Sequence, residues 1–513
     1  MEEKIVLSFD VGTQSARAIL VNNKGELLGK AQRKYDTPYD SPKPGFAEKD
    51  AESYFEVIME CAAELSKKYP SIYENVAAVT VTCIRDTIVN VDKEGKPLRK
   101  AITWLDSRQV EDEPKFPATS KAIFSVVGLK NFVTLQYKKS VVNWIMQNER
   151  EIWEKTYKVM LLSGYVTYRL TGNMTDAVAC IVGHIPFDVK KRDWADKKSL
   201  TRPIFDIPEE KLCKITESLE EMGKITKEVS DLTALKEGTP VIASGSDKAC
   251  EMIGLGCVKK DIAAISFGTM SSVSFNTPDY LEAQTFIPPY PSVIKDWYNP
   301  EQELYRGYWL VSWFKKEFCE AEAIEALKMG KTVEEYLNAG LNEIEPGANG
   351  LFLSPYFSPD VMQPYARGGF IGLADYHTKK HMYRAIIEGI NYDLLEGLRE
   401  IEKKGKFKFK EIRVGGGGSQ SDEICQITAD MFGIPVSRTS THEVSALGSS
   451  IATFVALKEY DSYEEACSKM VRVTDTFTPN MENNGKYNKL FEVYKKIYPT
   501  LKPLYGEIAE ILK

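Results

Sequence analysis

The stretch 5-IVLSFDVGTQSAR-17 decides the fold, because it is echoed at 263-AAISFGTMSSV-273. Each copy runs from apolar residues through Ser-Phe into a Gly-Thr turn with small polar residues behind it. The β-rich segments 4–9 and 17–22 flank the first turn. This reads as strand–turn–strand and not as the strand-then-helix of a dinucleotide-binding loop. Two halves that open alike predict an internal duplication, with a ligand held in the cleft between them. The copies differ in one respect: the first carries an acid, Asp10, and the second has none in the same place.

The chain around this repeat is long enough to hold it twice. Its 513 residues exceed the roughly 250–300 at which single cores stop growing. A net charge of −7 gives no reason to invoke nucleic acid or an anionic membrane surface. No apolar run approaches the length of a membrane span, and MEEKIVLSFD enters a strand directly. Nine cysteines without a CxxC spacing favour reduced thiols over a disulfide framework or zinc site. A cytoplasmic enzyme is the expectation.

Strands and helices alternate along the chain. A helix over about 51–69 precedes a buried strand at 76–83, and further helices are expected at about 139–149 and 160–170. The tract 240-PVIASGSD-247 reads as a strand ending in a Gly/Ser turn, followed by the glycine-interrupted helix 248-KACEMIGLGC-257. The pattern then restarts with a strand at 262–267, a helix at 380–403, the strand 411–414, the turn 415-GGGGS-419 and a helix from Ser421 to Met431. Helices over 485–513 cap the second half. The domain boundary is placed at 250/251, with Gly254 and Gly256 as hinge candidates or, alternatively, as sites of close helix packing.

A Gly-Thr turn offers backbone N–H groups and a hydroxyl to an anion. One such turn is commonplace; two at corresponding positions could grip a polyphosphate from both sides. Thr13, Gln14 and Arg17 would hold phosphates from one half, Gly268 and Thr269 from the other. The 330-GKT-332 triplet lacks the glycine a Walker loop needs, since position 325 is Glu. Mg²⁺ bound to ATP takes one or two carboxylates with phosphate and water oxygens. Asp10 is placed for that, and Asp247 supplies the second carboxylate, at the metal or as the base that takes a hydroxyl proton. Either acid could instead cap a turn or helix, and Asp247 stands where an N-cap would. The tract Gly416, Gly417, Gly418 allows close backbone approach to a flat base, with Ser421 able to bond its polar edges.

Together these segments resemble the FGGY carbohydrate kinases of the actin-like superfamily, over nearly the whole chain. DVGTQSARA (10–18) and ISFGT (265–269) look like the family's two phosphate segments, GSD (245–247) like the segment with its catalytic aspartate, and GGGGSQSD (415–422) like its adenosine segment. The most specific match is 368-GGFIGLADYHTKKHMYRAIIE-388, which fits the C-terminal signature. The resemblance implies two actin-like, ribonuclease H-like α/β domains with the catalytic cleft between them. It also implies ATP and Mg²⁺, and transfer of the γ-phosphate to a sugar or polyol hydroxyl. Residues 1–250 would bind the acceptor and the first phosphate segment, and 251–513 the nucleotide. The expected partners are the small substrate and, as an open option, a second copy of the chain.

The acceptor is read from Arg85-Asp86, a donor fork beside an acceptor group that suits vicinal hydroxyls; a surface ion pair is the other reading. In the resemblance the pair matches the Arg-Glu of glycerol kinases and not the Met-His-Gly of xylulose kinases. A ketose, a glycerol-like polyol and an autoinducer-2-like compound all stay open. The shorter Asp86 suggests room for an acceptor larger than glycerol. Trp104, in 104-WLDSR-108, and Tyr137 resemble family positions at the sugar site, although Val141 stands where the family signature has Lys. His184, His377, His381 and His442 are read as structural. The alternative from another class is a nucleotide-binding sensor or chaperone-type module of the same superfamily without turnover.

Overall fold

The computed structural model describes residues 4–358 and 365–512. In the first half β1 (Ile5–Val11), β2 (Ser15–Asn22) and β3 (Leu27–Lys34) form a meander, and β4 (Val76–Cys83) runs parallel to β1 on its other side. With β5 (Glu221–Lys224) and β6 (Pro240–Ile242) the sheet order is β5-β6-β4-β1-β2-β3. The second half has β7 (Ile262–Phe267), β8 (Ser271–Ser274), β9 (Glu301–Leu304), β10 (Glu411–Gly416), β11 (Val436–Thr439) and β12 (Val473–Phe477). Their order is β9-β8-β7-β10-β11-β12. The senses match strand for strand. Three antiparallel strands are followed by two joined in parallel and a last antiparallel one. The repeated turn therefore lies in a repeated sheet.

Helices cover these sheets, which is why β1 and β7 are buried along their whole length and are mostly apolar, broken only by Ser8 and Asp10 in β1 and by Ser266 in β7. The helix α1 (Ala51–Lys68) starts at Asp50, whose carboxylate accepts the Glu52 N–H, and buries a stripe that includes Tyr54, Phe55, Ile58 and Leu65. After it come α2 (Lys130–Lys139), α3 (Leu162–Thr171), α4 (Asp247–Gly254) and α5 (Trp309–Phe318). The second half adds α6 (Lys379–Gly405), α7 (Asp422–Phe432), α8 (Val444–Ala456) and α9 (Met481–Ile511). The helices expected over 485–513 are one helix, α9, whose Tyr487, Phe491 and Tyr494 pack on Tyr392 of α6. Lys513 lies outside the described residues.

The halves meet through α4 and α8. Ala446, Leu447 and Ile451 of α8 share a core with Val6, Ile19 and Val21 of the first sheet, while Met252 and Leu255 pack with Ile262 and Ala264 of the second. Residue 250 thus falls inside a helix of the seam. The crossing is tight because it is made of glycine. A Cβ on Gly254 would lie 1.8 Å from the Val444 carbonyl oxygen, and one on Gly448 would lie 1.8 Å from that of Cys250. Gly254 therefore serves close packing. Gly256, by contrast, has a φ of +72° and ends the helix in the left-handed region.

Candidate active site

The first turn sits at the open end of β1 and β2. The Gly12 N–H donates to the Ser15 carbonyl at 3.0 Å, Gln14 is exposed, and the Thr13 hydroxyl accepts the Trp104 indole N–H at 2.9 Å. This bond ties the first phosphate segment to the block expected at the sugar site. Asp10 and Arg17 are cross-strand partners, so their side chains meet: Arg17 Nη2 lies 2.6 Å from Asp10 Oδ2. Arg17 also reaches Glu443, the residue before α8, at 2.9 Å. Its charge is thus shared between two carboxylates. Burial raises the Asp10 pKa above the usual carboxylate value, with Arg17 offsetting part of the effect.

Asp247 opens α4. The cap is Ser246, whose hydroxyl accepts the Ala249 N–H, and this corrects the placement of Asp247 at the N-cap. Its carboxylate therefore stays at the cleft, held by the Lys248 N–H on Oδ1 at 2.8 Å. Burial pushes Asp247 up to about 6, against the pull of Arg85 and Lys248, and Asp10 is close enough to push the same way. The Lys248 ammonium bonds Glu251 at 3.0 Å and the Ser266 hydroxyl of β7. It points from the helix toward the second turn.

In that second turn the Gly268 and Thr269 carbonyls accept the Tyr308 and Trp309 N–H groups at 3.0 and 3.3 Å, which anchors the start of α5. The Thr269 side chain is exposed. The glycine tract is shaped by these neighbours. Gly416 has a φ of +81° and lies against the Phe267 backbone, where a Cβ would come within 2.7 Å. A Cβ on Gly418 would meet the Tyr308 ring at 2.4 Å; Gly417 alone of the three is exposed with open space before it. The Ser421 hydroxyl is committed to α7, accepting the Ile424 N–H at 3.3 Å and donating to Glu423 at 2.6 Å. It caps a helix where a contact with a base edge was expected.

Arg85 and Asp86 do not pair with each other. Arg85 Nη1 lies 2.5 Å from Glu301 Oε2, and its Nε donates to Ser246 Oγ at 3.2 Å. Asp86, at a φ of 46°, turns its carboxylate to His184 Nδ1 at 2.9 Å. A residue other than glycine held at such a φ marks a place where the surroundings fix the backbone. Gly183 makes room for it, since a Cβ there would fall 2.1 Å from Asp86 Oδ1. The space gained by Asp over Glu is thus partly taken by the imidazole. In 104-WLDSR-108 the Arg108 guanidinium bonds Asp106 and Glu48 at 2.7 Å each and lies between the Phe46 and Trp144 rings, so this block supports the wall. Tyr137, on α2, accepts a bond from Gln147 at 2.9 Å. It stands three residues before Ser140, whose hydroxyl donates to the His184 carbonyl at 3.4 Å.

The model of the FGGY family of carbohydrate kinases, N-terminal domain, matches residues 5–254, and that of the C-terminal domain matches 263–457. The chain belongs to the FGGY family of carbohydrate kinases. Membership makes it an ATP-dependent kinase of sugars or polyols. Across this family it is 28% identical to a xylulose kinase of Bacillus subtilis, over 99% of this chain and 100% of that one. It is 25% identical to a xylulose kinase of Lactococcus lactis, over 98% of each. Its fold matches that of a gluconate kinase from Lactobacillus acidophilus with a TM-score of 0.84, at 22% identity over 99% of this chain and 100% of that one.

Four residues that gather at this candidate site escaped the sequence reading. Lys248 was visible beside Asp247 but carried no motif of its own. His184 was read as structural, and its partner Asp86 is 98 residues away. Glu301 and Tyr290 reach Arg85 from the other half, with the Tyr290 ring 4.5 Å from the guanidinium. Among the described residues no group of three or more His, Cys, Asp or Glu gathers to hold a metal. Two carboxylates, Asp10 and Asp247, still fit the need of nucleotide-bound Mg²⁺, which draws its other ligands from phosphate and water.

Proposed function

We propose that the chain transfers the γ-phosphate of ATP to a hydroxyl of a sugar or polyol held at Arg85, Asp86 and Trp104, with Asp247 as general base. The observation that carries this reading is the Asp247 carboxylate, spared the capping role by Ser246, within electrostatic reach of Arg85 and Asp10 and pushed up to about 6 by burial. A base near that value is ionised at neutral pH yet basic enough to take a proton. Its Oδ atom would accept the acceptor's hydroxyl proton as that oxygen bonds to the γ-phosphorus and the bond to the ADP oxygen breaks. The turn at Gly12-Thr13, the turn at Gly268-Thr269 and the Lys248 ammonium would hold the phosphates, and Gly417 would admit the nucleoside. Asp10, with Asp247 alongside, would hold Mg²⁺, which when bound neutralises phosphate charge. Residues 1–250 would supply most of the acceptor wall and 251–513 the nucleotide side. Among the described residues no helix is long and apolar enough to cross a membrane.

A coupled ADP-release assay over ketoses, aldoses and polyols tests the reading directly. Acceptor-dependent ADP release is expected, and ATP binding without it would point to the sensor alternative. Asp10→Asn should abolish most Mg²⁺-dependent turnover; an unchanged Mg²⁺ dependence would move the metal elsewhere. Arg85→Ala and Asp86→Ala should raise KM for the acceptor, because each leaves polar partners at the wall unpaired. For Arg85 these include Glu301, and for Asp86 the imidazole of His184. Normal acceptor binding with lost ATP affinity in both variants would put them at the wrong end of the cleft.

A further inference from the structure

The acceptor wall is closed by a strand of the second half. β9 is the edge strand of its sheet, and two-residue periodicity puts Glu301 and Glu303 on one face. Glu301 Oε2 is 2.5 Å and Glu303 Oε1 3.6 Å from Arg85 Nη1. The same guanidinium lies over the Tyr290 ring and donates to Ser246, the residue before the proposed base. β9 is thereby joined to Ser246, at the start of α4, through a single side chain. The Glu301 side chain is 1% exposed, and its Oε1 is buried with no hydrogen-bond partner among the described residues. The Ser272 hydroxyl of β8 helps to hold the Glu301 charge but stands outside hydrogen-bond geometry. Glu303, at 17%, is the more open of the two.

The charges at this wall are lopsided. Its two lysine or arginine cations already have carboxylates, Arg85 with Glu301 and Lys248 with Glu251. Three further carboxylates share what is left: Glu303 stands 3.6 Å from the same Arg85 Nη1, Asp247 feels Arg85 and Lys248, and Asp86 faces His184. A second carboxylate brought in by a substrate would find its natural partner neutralised and Glu303 opposite it. A hydroxyl-bearing compound would find acceptors for its O–H groups.

Resting on the kinase reading above, we infer that Glu301 and Glu303 set the acceptor class, admitting an uncharged polyhydroxy compound and excluding sugar acids. Glu303 accepts hydrogen bonds from the end of the acceptor remote from Asp247. Glu301 is a positioning residue: it fixes the Arg85 fork and leaves Oε1 for a hydroxyl. Because Arg85 belongs to the first half and β9 to the second, this wall exists only where the halves approach.

The test is a panel of initial rates with xylulose, glycerol, further ketoses and aldoses, and gluconate. Burial, and then Glu301, push Glu303 up to about 7, so pH 8 keeps it ionised. The wild-type protein should prefer its best neutral acceptor over gluconate by about 10²-fold or more in kcat/KM, the scale on which like charges discriminate. Glu303→Gln should move that ratio toward gluconate by about tenfold or more, through KM and not kcat, which a merely structural loss would not do. Glu301→Gln should raise KM for the neutral acceptor as Arg85 loosens. A wild-type preference for gluconate would overturn the inference while leaving the kinase reading intact. So would an unmoved ratio in a Glu303→Gln protein of normal melting temperature. If that variant fails to fold, the wild-type panel decides alone. Turnover of no acceptor, neutral or acid, would overturn the kinase reading and this inference with it.

Discussion

Asp247→Asn is expected to lower kcat by about 10²–10⁴-fold, the range a positioned general base contributes, while acceptor binding stays nearly normal. The amide has the shape of the carboxylate and can still accept the Lys248 N–H, but it cannot take a proton. The wild-type protein should show the matching pH profile. The base works only when ionised, so kcat/KM should be level above the pKa of about 6 and fall about tenfold per unit below it. In the Asn variant that limb should vanish from the residual rate. Near-normal kcat in a folded Asn variant would remove Asp247 from the chemistry.

The same raised pKa has a consequence for stability. A carboxyl that binds its proton more readily folded than unfolded contributes stability at low pH, and the contribution is lost as pH rises through the folded value. For Asp247 the loss falls between the ordinary carboxylate value and about 6. Burying the charged form, with Asp10 nearby, is therefore a cost the ligand-free protein carries at neutral pH. Asp247→Asn should raise the melting temperature at pH 7.5 and lose that advantage at pH 4. A variant that is both more stable and catalytically dead separates a base from a structural residue. Equal melting temperatures at both values would mean that solvent reaches the carboxylate freely.

What the sequence disclosed and what it hid follow from the range of the interactions. The meander β1–β2 and its counterpart β7–β8 were legible because a β-rich apolar run and a Gly-Thr turn are local signals, and the echo between them revealed the duplication. The candidate aspartates were legible for the same reason, each ending a strand or opening a helix. Glu301 was not. In 301-EQELY-305 it reads as one charge of an exposed edge strand, and only the approach of the other half gives it Arg85 as a partner. Nor was the cap at Ser421 legible: the helix was expected to begin at Ser421 itself, whereas its hydroxyl accepts the Ile424 N–H from the position before the helix.

Gly254 carries the second large effect. A glycine between two halves suggests either a hinge or close helix packing; in the structure it is the contact point of α4 and α8, matched by Gly448 on the facing helix, which favours the packing reading. Two terms oppose each other in Gly448→Ala. Helix propensity favours alanine by about 1 kcal/mol. Against it, the added Cβ would lie 1.8 Å from the Cys250 carbonyl oxygen and 2.8 Å from the Gly254 backbone nitrogen, where no side chain can swing aside. The helices would have to separate along a seam that also holds the buried Ser8–Ser449 hydroxyl pair at 2.8 Å. Overpacking of this kind costs about 1–3 kcal/mol and more where backbone must move, so the clash wins. Gly448→Ala and Gly254→Ala should each lower the urea midpoint markedly or leave the protein insoluble. Gly485→Ala supplies the control. It lies inside α9 with open space around it, and should raise the midpoint by the propensity term alone. Equal, small shifts in all three variants would show that α4 and α8 stand further apart in solution. The seam would then be free to hinge at Gly254 after all.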